Sequence, residues 1–170
     1  NKAGKKLSLS KQEQVEAVKQ ELEHADFHVK EVKKGERIKK APYPFTTSTL
    51  QQEASKRLNF STQKTMRLAQ QLYEGVDIKG QGTVGIITYL RTDSVRVADE
   101  AQAAAHAYIA EKFGAEYAAE HVQDNKTKGK IQDAHEAIRP TDITRMPVLI
   151  KESLSRDQFR LYQLIWNRFV

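Results

Sequence analysis

The segment Thr83-Val-Gly-Ile-Ile-Thr-Tyr-Leu-Arg-Thr-Asp-Ser94 is the clearest β-strand signal in the chain, and it ends in a run of polar side chains. Residues 83–90 are rich in β-branched and aromatic side chains, which strands favour. Side chains two positions apart on a strand share one face, so Tyr89 and Arg91 are expected to point the same way. The segment therefore predicts a strand that presents a phenol and a guanidinium together at its end.

Helical periodicity on both sides of this strand predicts a mostly helical α+β chain. Residues 47–58 and 62–74 carry apolar side chains at helical spacing, including Met66, Ala69, Leu72 and Tyr73 in the second helix. Two helices with so short a link predict a helix-turn-helix-like unit, although a plain packed helical hairpin is the simpler interpretation. Further helices are expected at 98–113, an alanine-rich stretch that ends at Gly114, and at 155–170, where apolar residues follow helical spacing.

The first 45 residues predict a small separate region. A helix is expected at 11–23, with a capping box from Ser10 to Glu13. Two short β segments are expected at 27–33 and 36–41. The stretch Ala41-Pro-Tyr-Pro-Phe45 cannot be a helix interior, because proline lacks an amide donor and restricts the residue before it. It is the candidate domain boundary.

Composition excludes several classes of function. The 170 residues contain no cysteine, which removes disulfides, zinc–thiolate sites, iron–sulfur clusters and cysteine nucleophiles. No apolar run approaches the roughly 18 residues that a membrane helix needs. Of the net charge of +6, most lies in residues 1–40, which hold 11 Lys+Arg against 7 Asp+Glu. Phosphate binding by the rest of the chain would therefore depend on a few placed cations.

The two ends of the sequence suggest a piece of a larger protein. The chain begins with Asn1 rather than methionine. The apolar stripe of the helix at 155–170 runs to the last residue without a closing Gly, Asn or Pro. We therefore expect further domains in the same protein.

Tyr89 and Arg91 are the first candidates for chemistry. A phenol has an ordinary pKa of about 10, and a nearby cation favours its ionised form. A guanidinium can also hold a phosphate through two parallel hydrogen bonds. The pair would suit phosphoryl transfer. On the pattern alone, however, a strand aromatic beside a solvated charge is the more frequent case.

The second candidate cluster lies at Asp133-Ala-His-Glu-Ala-Ile-Arg139, which is expected to form two helical turns before Pro140. In a helix, His135 and Arg139 share a face and could bind one phosphate together. A surface turn with an internal ion pair between Glu136 and Arg139 is the alternative. Metal binding is disfavoured, because His135 and Glu136 are adjacent and would face different ways.

Four stretches together resemble one family, the type IA DNA topoisomerases of the bacterial topoisomerase I group. Ile86-Ile-Thr-Tyr-Leu-Arg-Thr-Asp-Ser94 resembles the family's active-site tyrosine segment, and Asp133-Ala-His-Glu-Ala-Ile-Arg-Pro140 resembles its second box. The stretches 41–55 and 161–166 are similar to its flanking segments. The resemblance covers about 37–170 in family order, which is far more specific than any single motif.

The resemblance implies roles for individual residues. Tyr89 matches the nucleophile that becomes linked to a 5′ phosphate of DNA, and Arg91 matches the arginine that holds the scissile phosphate. His135 matches a histidine near that phosphate. Leu90 departs from the methionine of many members, which is a conservative change. Supporting or DNA-contacting positions fall at Thr88, Asp93, Glu136 and Arg139.

The resemblance also implies an architecture and partners. Residues 41–170 would form a winged-helix-like (CAP-like) strand-passing domain, 1–40 a piece of the β-rich arch domain, and the connector 75–82 a surface loop. The substrate would be a single-stranded segment of underwound DNA in the cytoplasm, at the nucleoid. The family's Mg²⁺ ligands lie in a Toprim domain, and no Asp-x-Asp pattern occurs here. The other domains of the parent chain would be needed, and the fragment alone is expected to be inactive.

The main alternative from another class is a non-catalytic nucleic-acid-binding module built on the helical pair at 47–74. This alternative predicts that Tyr89 is dispensable. Its duplex contacts would come from Lys56, Arg57, Lys64 and Arg67.

Overall fold

The structure is a computed structural model that describes residues 6–37, 41–118 and 135–170. Contacts between Cα atoms in space divide the chain into two compact units, Asn1–Lys39 and Lys40–Val170. The assignment of residues 1–40 to an arch domain and of 41–170 to a strand-passing domain stays a prediction.

The first unit contains helix α1, Gln12–Glu23, which has no buried residue. Its N-cap is Lys11, and the Gln14 side chain accepts the Ser10 and Lys11 N–H groups, so the expected pairing of Ser10 with Glu13 is wrong. The strand predicted at 27–33 is also wrong, because these residues have no regular structure and no paired neighbour among the described residues. The segment predicted at 36–41 lies partly outside the described residues.

The second unit begins with a helical hairpin, α2 at Thr47–Leu58 and α3 at Thr62–Glu74, which confirms both predicted helices. Side-chain oxygens of Thr46 and Ser61 cap the two N-termini. Asn59, in the left-handed conformation at φ 58°, turns the chain between the helices. Leu72 is buried as expected, but Tyr73 is 39% exposed, so its predicted inward placement is wrong.

A β-hairpin follows where a surface loop and a longer strand were expected. Strands β1, Val76–Ile78, and β2, Gly82–Val84, pair antiparallel, with Val76 opposite Val84. Val76 and Ile78 are buried, so this connector is part of the core. The strand predicted at 83–90 therefore extends in the ladder only to Val84. Beyond it, an isolated bridge joins Ile87 to Pro140.

The remaining helices close the core of the second unit. Helix α4, Asp99–Phe113, ends at Gly114, and α5, Arg156–Phe169, follows a 3₁₀ segment at Pro147–Ser153, which confirms both predicted helices. Helix α5 packs against α2 and α3. It buries Leu161, Tyr162, Ile165 and Trp166, and the Tyr108 ring of α4 meets Trp166 edge-on at 5.9 Å.

The helix predicted at 133–139 is wrong for residues 135–139, while Asp133 lies outside the described residues. The amide groups of this stretch bond to three other segments. The N–H of Ala137 donates to the Arg96 carbonyl, and the N–H of Ile138 donates to the Phe45 carbonyl. The carbonyl of Arg139 accepts the N–H of Thr88 at 2.9 Å. Residues 135–141, here called the clasp segment, thus connect the tyrosine segment, residues 86–94, to the start of the second unit.

The described residues make the chain an α+β structure with five α-helices and one two-stranded sheet. The winged-helix-like detail stays a prediction. No helix among the described residues is both long enough and apolar enough to cross a membrane.

Candidate active site

In the tyrosine segment, residues 86–94, the side chains of 89–94 alternate between exposed and buried. Leu90, Thr92 and Ser94 are buried. Tyr89, Arg91 and Asp93 are exposed. This alternation is the period of two expected of an extended chain. It brings a phenol, a guanidinium and a carboxylate to the solvent side of one short segment.

The Tyr89 ring lies between two other aromatic rings. Tyr73, from the last turn of α3, meets it edge-on with the ring centroids 5.4 Å apart. His135, at the start of the clasp segment, lies with its ring centroid 5.4 Å away on a tilted plane. The structure therefore brings Tyr89 and His135 together, as the site hypothesis requires. Tyr73 is an additional neighbour that the helical pattern had assigned to the core.

A close backbone approach places Tyr73 beside Tyr89. The N–H of Ile86 donates to the Leu72 carbonyl at 2.8 Å, which joins the end of α3 to the tyrosine segment. A side chain at Gly85 would place its Cβ 2.5 Å from the Tyr73 carbonyl oxygen. Only glycine permits this approach without a shift of the backbone. Gly85 thereby sets the spacing between the end of α3 and Tyr89.

Thr88 is a structural link rather than an open polar group. Its hydroxyl donates to the Ala137 carbonyl at 2.7 Å and accepts the Arg139 N–H at 2.9 Å. A hydroxyl has one proton to donate and two lone pairs, so this pair of bonds uses it well. Thr88 locks the tyrosine segment to the clasp segment. Its hydroxyl faces the protein backbone, and the expectation of a supporting role is compatible with that placement.

Glu136 and Arg139 form a partly buried ion pair. Glu136 Oε2 accepts from Arg139 Nη2 at 2.6 Å and from Nε at 3.1 Å. Arg139 Nη1 donates to the Pro140 carbonyl at 3.0 Å. The two side chains are 13% and 19% exposed, Arg139 being the less exposed. The ion pair that was expected on a helix therefore forms on a non-helical segment. Its hydrogen bonds occupy the Arg139 guanidinium within the protein.

Arg91, Asp93 and His135 remain available to a ligand. All three are exposed, and within the described ranges none of their side chains forms a hydrogen bond or an ion pair. The structure does not join Arg91 to His135 or Arg139 by such a bond. The candidate site is thus an exposed surface around Tyr89, carried on a backbone that Thr88 and the clasp segment hold.

Tyr89 differs from the buried tyrosine of the same unit. Tyr162 is fully buried and donates its hydroxyl to the Arg145 carbonyl at 2.8 Å. Burial raises the pKa of the Tyr162 phenol far above its ordinary value, because the charged form would lose its hydration. Tyr89 is 38% exposed, and its hydroxyl bonds to no described residue. Of these two phenols, Tyr89 is the one that an incoming phosphate could reach.

The described residues do not fit a metal site. Across 6–37, 41–118 and 135–170, no cluster of three or more His, Asp or Glu side chains could hold an ion. Magnesium, which the family resemblance implies, is therefore not assigned to any described residue.

The cations of the helical pair are partly engaged within the protein. Lys64 Nζ lies 2.6 Å from Asp157 Oδ2 and 4.2 Å from the centre of the Phe60 ring. The hydrogen bond from Lys64 lowers the pKa of Asp157. Arg57 pairs with Glu53 at 2.6 Å. Two of the four cations that the binding-module alternative needs are thus held by acidic neighbours.

Comparison with known proteins identifies the family of the chain. The family model for DNA topoisomerase matches residues 1–170. The chain therefore belongs to the bacterial DNA topoisomerase family.

One solved structure shows the likeness directly. Full-length topoisomerase I from Thermotoga maritima is 49% identical in sequence and superposes with a TM-score of 0.65. The match covers 75% of this chain and 19% of that one. The matched part of this chain thus spans about a fifth of the length of that topoisomerase.

Proposed function

We propose that Tyr89 is the tyrosine with which a type IA DNA topoisomerase cuts one DNA strand. The observation that carries the proposal is the position of Tyr89. Its phenol is exposed, lies beside the His135 ring, and shares a short segment with Arg91. Membership of the DNA topoisomerase family supports it.

In the proposed reaction, the Tyr89 oxygen attacks a phosphodiester of one DNA strand. A bond forms from Oη to phosphorus, and the bond from phosphorus to the 3′ oxygen breaks. The phenolic proton is lost to solvent, and the departing 3′ oxygen takes up a proton. The strand is then joined to Tyr89 through its 5′ phosphate. Because one phosphodiester replaces another, resealing after strand passage needs no ATP. Underwound DNA is relaxed by repeated cycles.

Arg91 and His135 are proposed to act on the phosphate. A guanidinium can hold two of its oxygens and offset the charge that develops in the transition state. His135 lies against the Tyr89 ring, and its imidazole is proposed to contact the same phosphate. Neither side chain has a competing bond to a described residue.

The proposed activity belongs to a longer enzyme. The matched topoisomerase is about five times as long as the matched region, and we propose that further domains of the same kind act as partners. The proposed substrate is single-stranded DNA within an underwound duplex at the nucleoid. Magnesium is proposed to be held by those other domains. Within this chain, 41–170 is proposed to be the winged-helix-like strand-passing domain and 1–40 part of the arch.

Covalent trapping tests the proposal. The full-length enzyme is incubated with single-stranded DNA labelled at its 3′ end and then denatured, with Tyr89→Phe as the variant and Tyr117→Phe as the matched control. Tyr117 is a more exposed tyrosine of the same unit. We expect a labelled adduct in wild type and Tyr117→Phe and none in Tyr89→Phe, with DNA binding retained in all three. DNA binding without an adduct in wild type would favour the binding-module alternative instead.

The role of Arg91 has its own test. Arg91→Ala is expected to slow adduct formation on the order of 100-fold or more, since a transition-state contact to the phosphate is lost. The rate constant is measured in a single turnover with saturating DNA. A variant that cleaves at the wild-type rate and changes only the salt dependence of binding would make Arg91 a contact that positions DNA.

A further inference from the structure

We infer that Thr47, the first residue of α2, is a positioning residue that sets the orientation of Arg91. The inference rests on the proposed function of Arg91 as a phosphate contact. It concerns a residue 44 positions earlier in the sequence whose hydroxyl bonds to the backbone on both sides of Arg91.

The Thr47 hydroxyl bonds to both sides of Arg91. It donates to the Leu90 carbonyl at 2.7 Å and accepts the N–H of Thr92 at 2.9 Å. The Thr92 carbonyl, 3.1 Å from the hydroxyl, accepts the backbone N–H of Thr47 at 2.9 Å. A hydroxyl has one proton to donate, so we assign the closer Leu90 carbonyl oxygen as its acceptor.

These bonds fix the backbone conformation of Arg91. The Leu90 carbonyl belongs to the peptide plane before the Arg91 Cα, and the Thr92 N–H belongs to the plane after it. Peptide planes are rigid, so only φ and ψ of Arg91 remain free between them. A single side chain that holds both planes therefore restricts both angles. The direction of the Arg91 Cα–Cβ bond follows from them.

The anchor is itself firmly held. The N–H at the first position of a helix has no acceptor within the helix, and in Thr47 the Thr92 carbonyl supplies one. Thr46 caps the same helix end. Leu50 and Ala54 of α2 have no exposed surface. The hydroxyl thus stands on a helix that the core keeps in place.

The side chain of Arg91 has no such support of its own. It is exposed, and within the described ranges it forms neither an ion pair nor a hydrogen bond. Its position before DNA binds therefore depends on its backbone. Without the Thr47 hydroxyl, the Arg91 guanidinium would still be present, but its orientation toward the phosphate would no longer be fixed.

The first part of the test compares Thr47→Val, which removes the hydroxyl, with Thr47→Ser, which keeps it. The single-turnover rate constant for cleavage of a bound single-stranded oligonucleotide by the full-length enzyme is measured. We expect Thr47→Val to lower it by roughly 10- to 100-fold, the scale of a misplacement near 1 Å. Thr47→Ser is expected to stay within about threefold. Thr65→Val, which loses a hydroxyl bond to the Ser61 carbonyl within α3, is the matched control and should cleave close to the wild-type rate.

The second part asks whether Thr47 acts through Arg91. Thr47→Val is combined with Arg91→Ala, and the double variant is compared with Arg91→Ala alone. We expect the added loss to be below about threefold, because the residue that Thr47 positions is already gone. A full second loss would mean that Thr47→Val damages the fold generally, and it would overturn the inference. If Thr47→Val does not fold, Thr47→Ala removes the same hydroxyl and takes its place.

The outcomes separate this inference from the proposed function. Absence of an adduct in the wild-type enzyme would overturn both the proposed function and the role of Thr47. A normal wild-type adduct with wild-type cleavage by Thr47→Val would overturn only the role of Thr47. Weaker DNA binding by Thr47→Val, with an unchanged rate constant for bound DNA, would also overturn it, since Thr47 would then act on binding rather than on the phosphate contact.

Discussion

The two sides of the tyrosine segment differ in what holds their side chains. On the inner side, Leu90 is buried, and the backbone of Thr92 and the side chain of Thr88 are hydrogen-bonded to distant parts of the unit. On the outer side, Tyr89 and Arg91 have no hydrogen bond or ion pair from their side chains to any described residue. The same five-residue stretch, 88–92, is thus anchored on one side and open on the other.

This difference separates stability from chemistry. Inner substitutions remove packing or leave buried polar groups without partners, so they should lower the free energy of unfolding. Outer substitutions remove groups that contact only solvent or neighbouring rings, so they should change reactivity and leave stability nearly unchanged. Unfolding of the 170-residue chain by urea measures the first property.

The largest effect is expected for Leu90→Ala. Leu90 is 1% exposed, and removing a fully buried leucine side chain costs about 2–5 kcal/mol of unfolding free energy. Leu90→Met, which conserves volume, should cost less than about 1.5 kcal/mol. A loss below about 1 kcal/mol for Leu90→Ala would show that the inner side is not packed as described.

The next largest effect is expected for Thr88→Val. The substitution leaves the Ala137 carbonyl and the Arg139 N–H without their partner, which costs about 1–3 kcal/mol. Thr88→Ser keeps the hydroxyl and serves as the control. Equal stability of the valine and serine variants would contradict the proposed lock between the tyrosine and clasp segments.

A smaller effect is expected for Glu136→Gln. The carboxylate accepts two hydrogen bonds from Arg139, and both side chains are mostly buried, so the loss of its charge should cost about 1–2 kcal/mol. Glu31→Gln is the matched control, because the Glu31–Lys33 pair is 61% and 81% exposed and solvent screens it. We expect no measurable change there. Similar losses at both positions would argue against a special role for the buried pair.

The smallest effect on stability is expected for Tyr89→Phe. The Tyr89 hydroxyl bonds to no described residue, and the ring contacts with Tyr73 and His135 survive the substitution. The change in unfolding free energy should stay within about 0.5 kcal/mol. A loss above about 1 kcal/mol would show that the hydroxyl has a structural partner.

The helices could be predicted from the sequence because their signals are local. Helices α2, α3 and α5 have apolar residues at helical spacing, α4 is rich in alanine, and capping residues or glycines stand at their ends. The alternation of Tyr89, Leu90 and Arg91 between two sides is also local, since it follows from backbone geometry.

The clasp segment and the hairpin could not be predicted in the same way. His135 and Arg139 showed helical spacing, yet the backbone of residues 137–139 bonds to residues 41 to 93 positions earlier, which no local pattern encodes. The connector after Gly75 showed turn residues but not that Val76 would pair with Val84. Thr47 and Tyr73 were likewise missed as neighbours of the site, because their contacts depend on how α2 and α3 meet the tyrosine segment.

Mapping the DNA linkage is the most direct test of the central claim, that Tyr89 is the nucleophile. The full-length enzyme is trapped on single-stranded DNA labelled at either the 3′ or the 5′ end and digested with protease, and the peptide that carries nucleotide is identified by mass spectrometry. A 5′-phosphate link predicts that the 3′ label stays with the protein, on the peptide containing Tyr89. A 5′ label retained on the protein, or a nucleotide on any other residue, would contradict it.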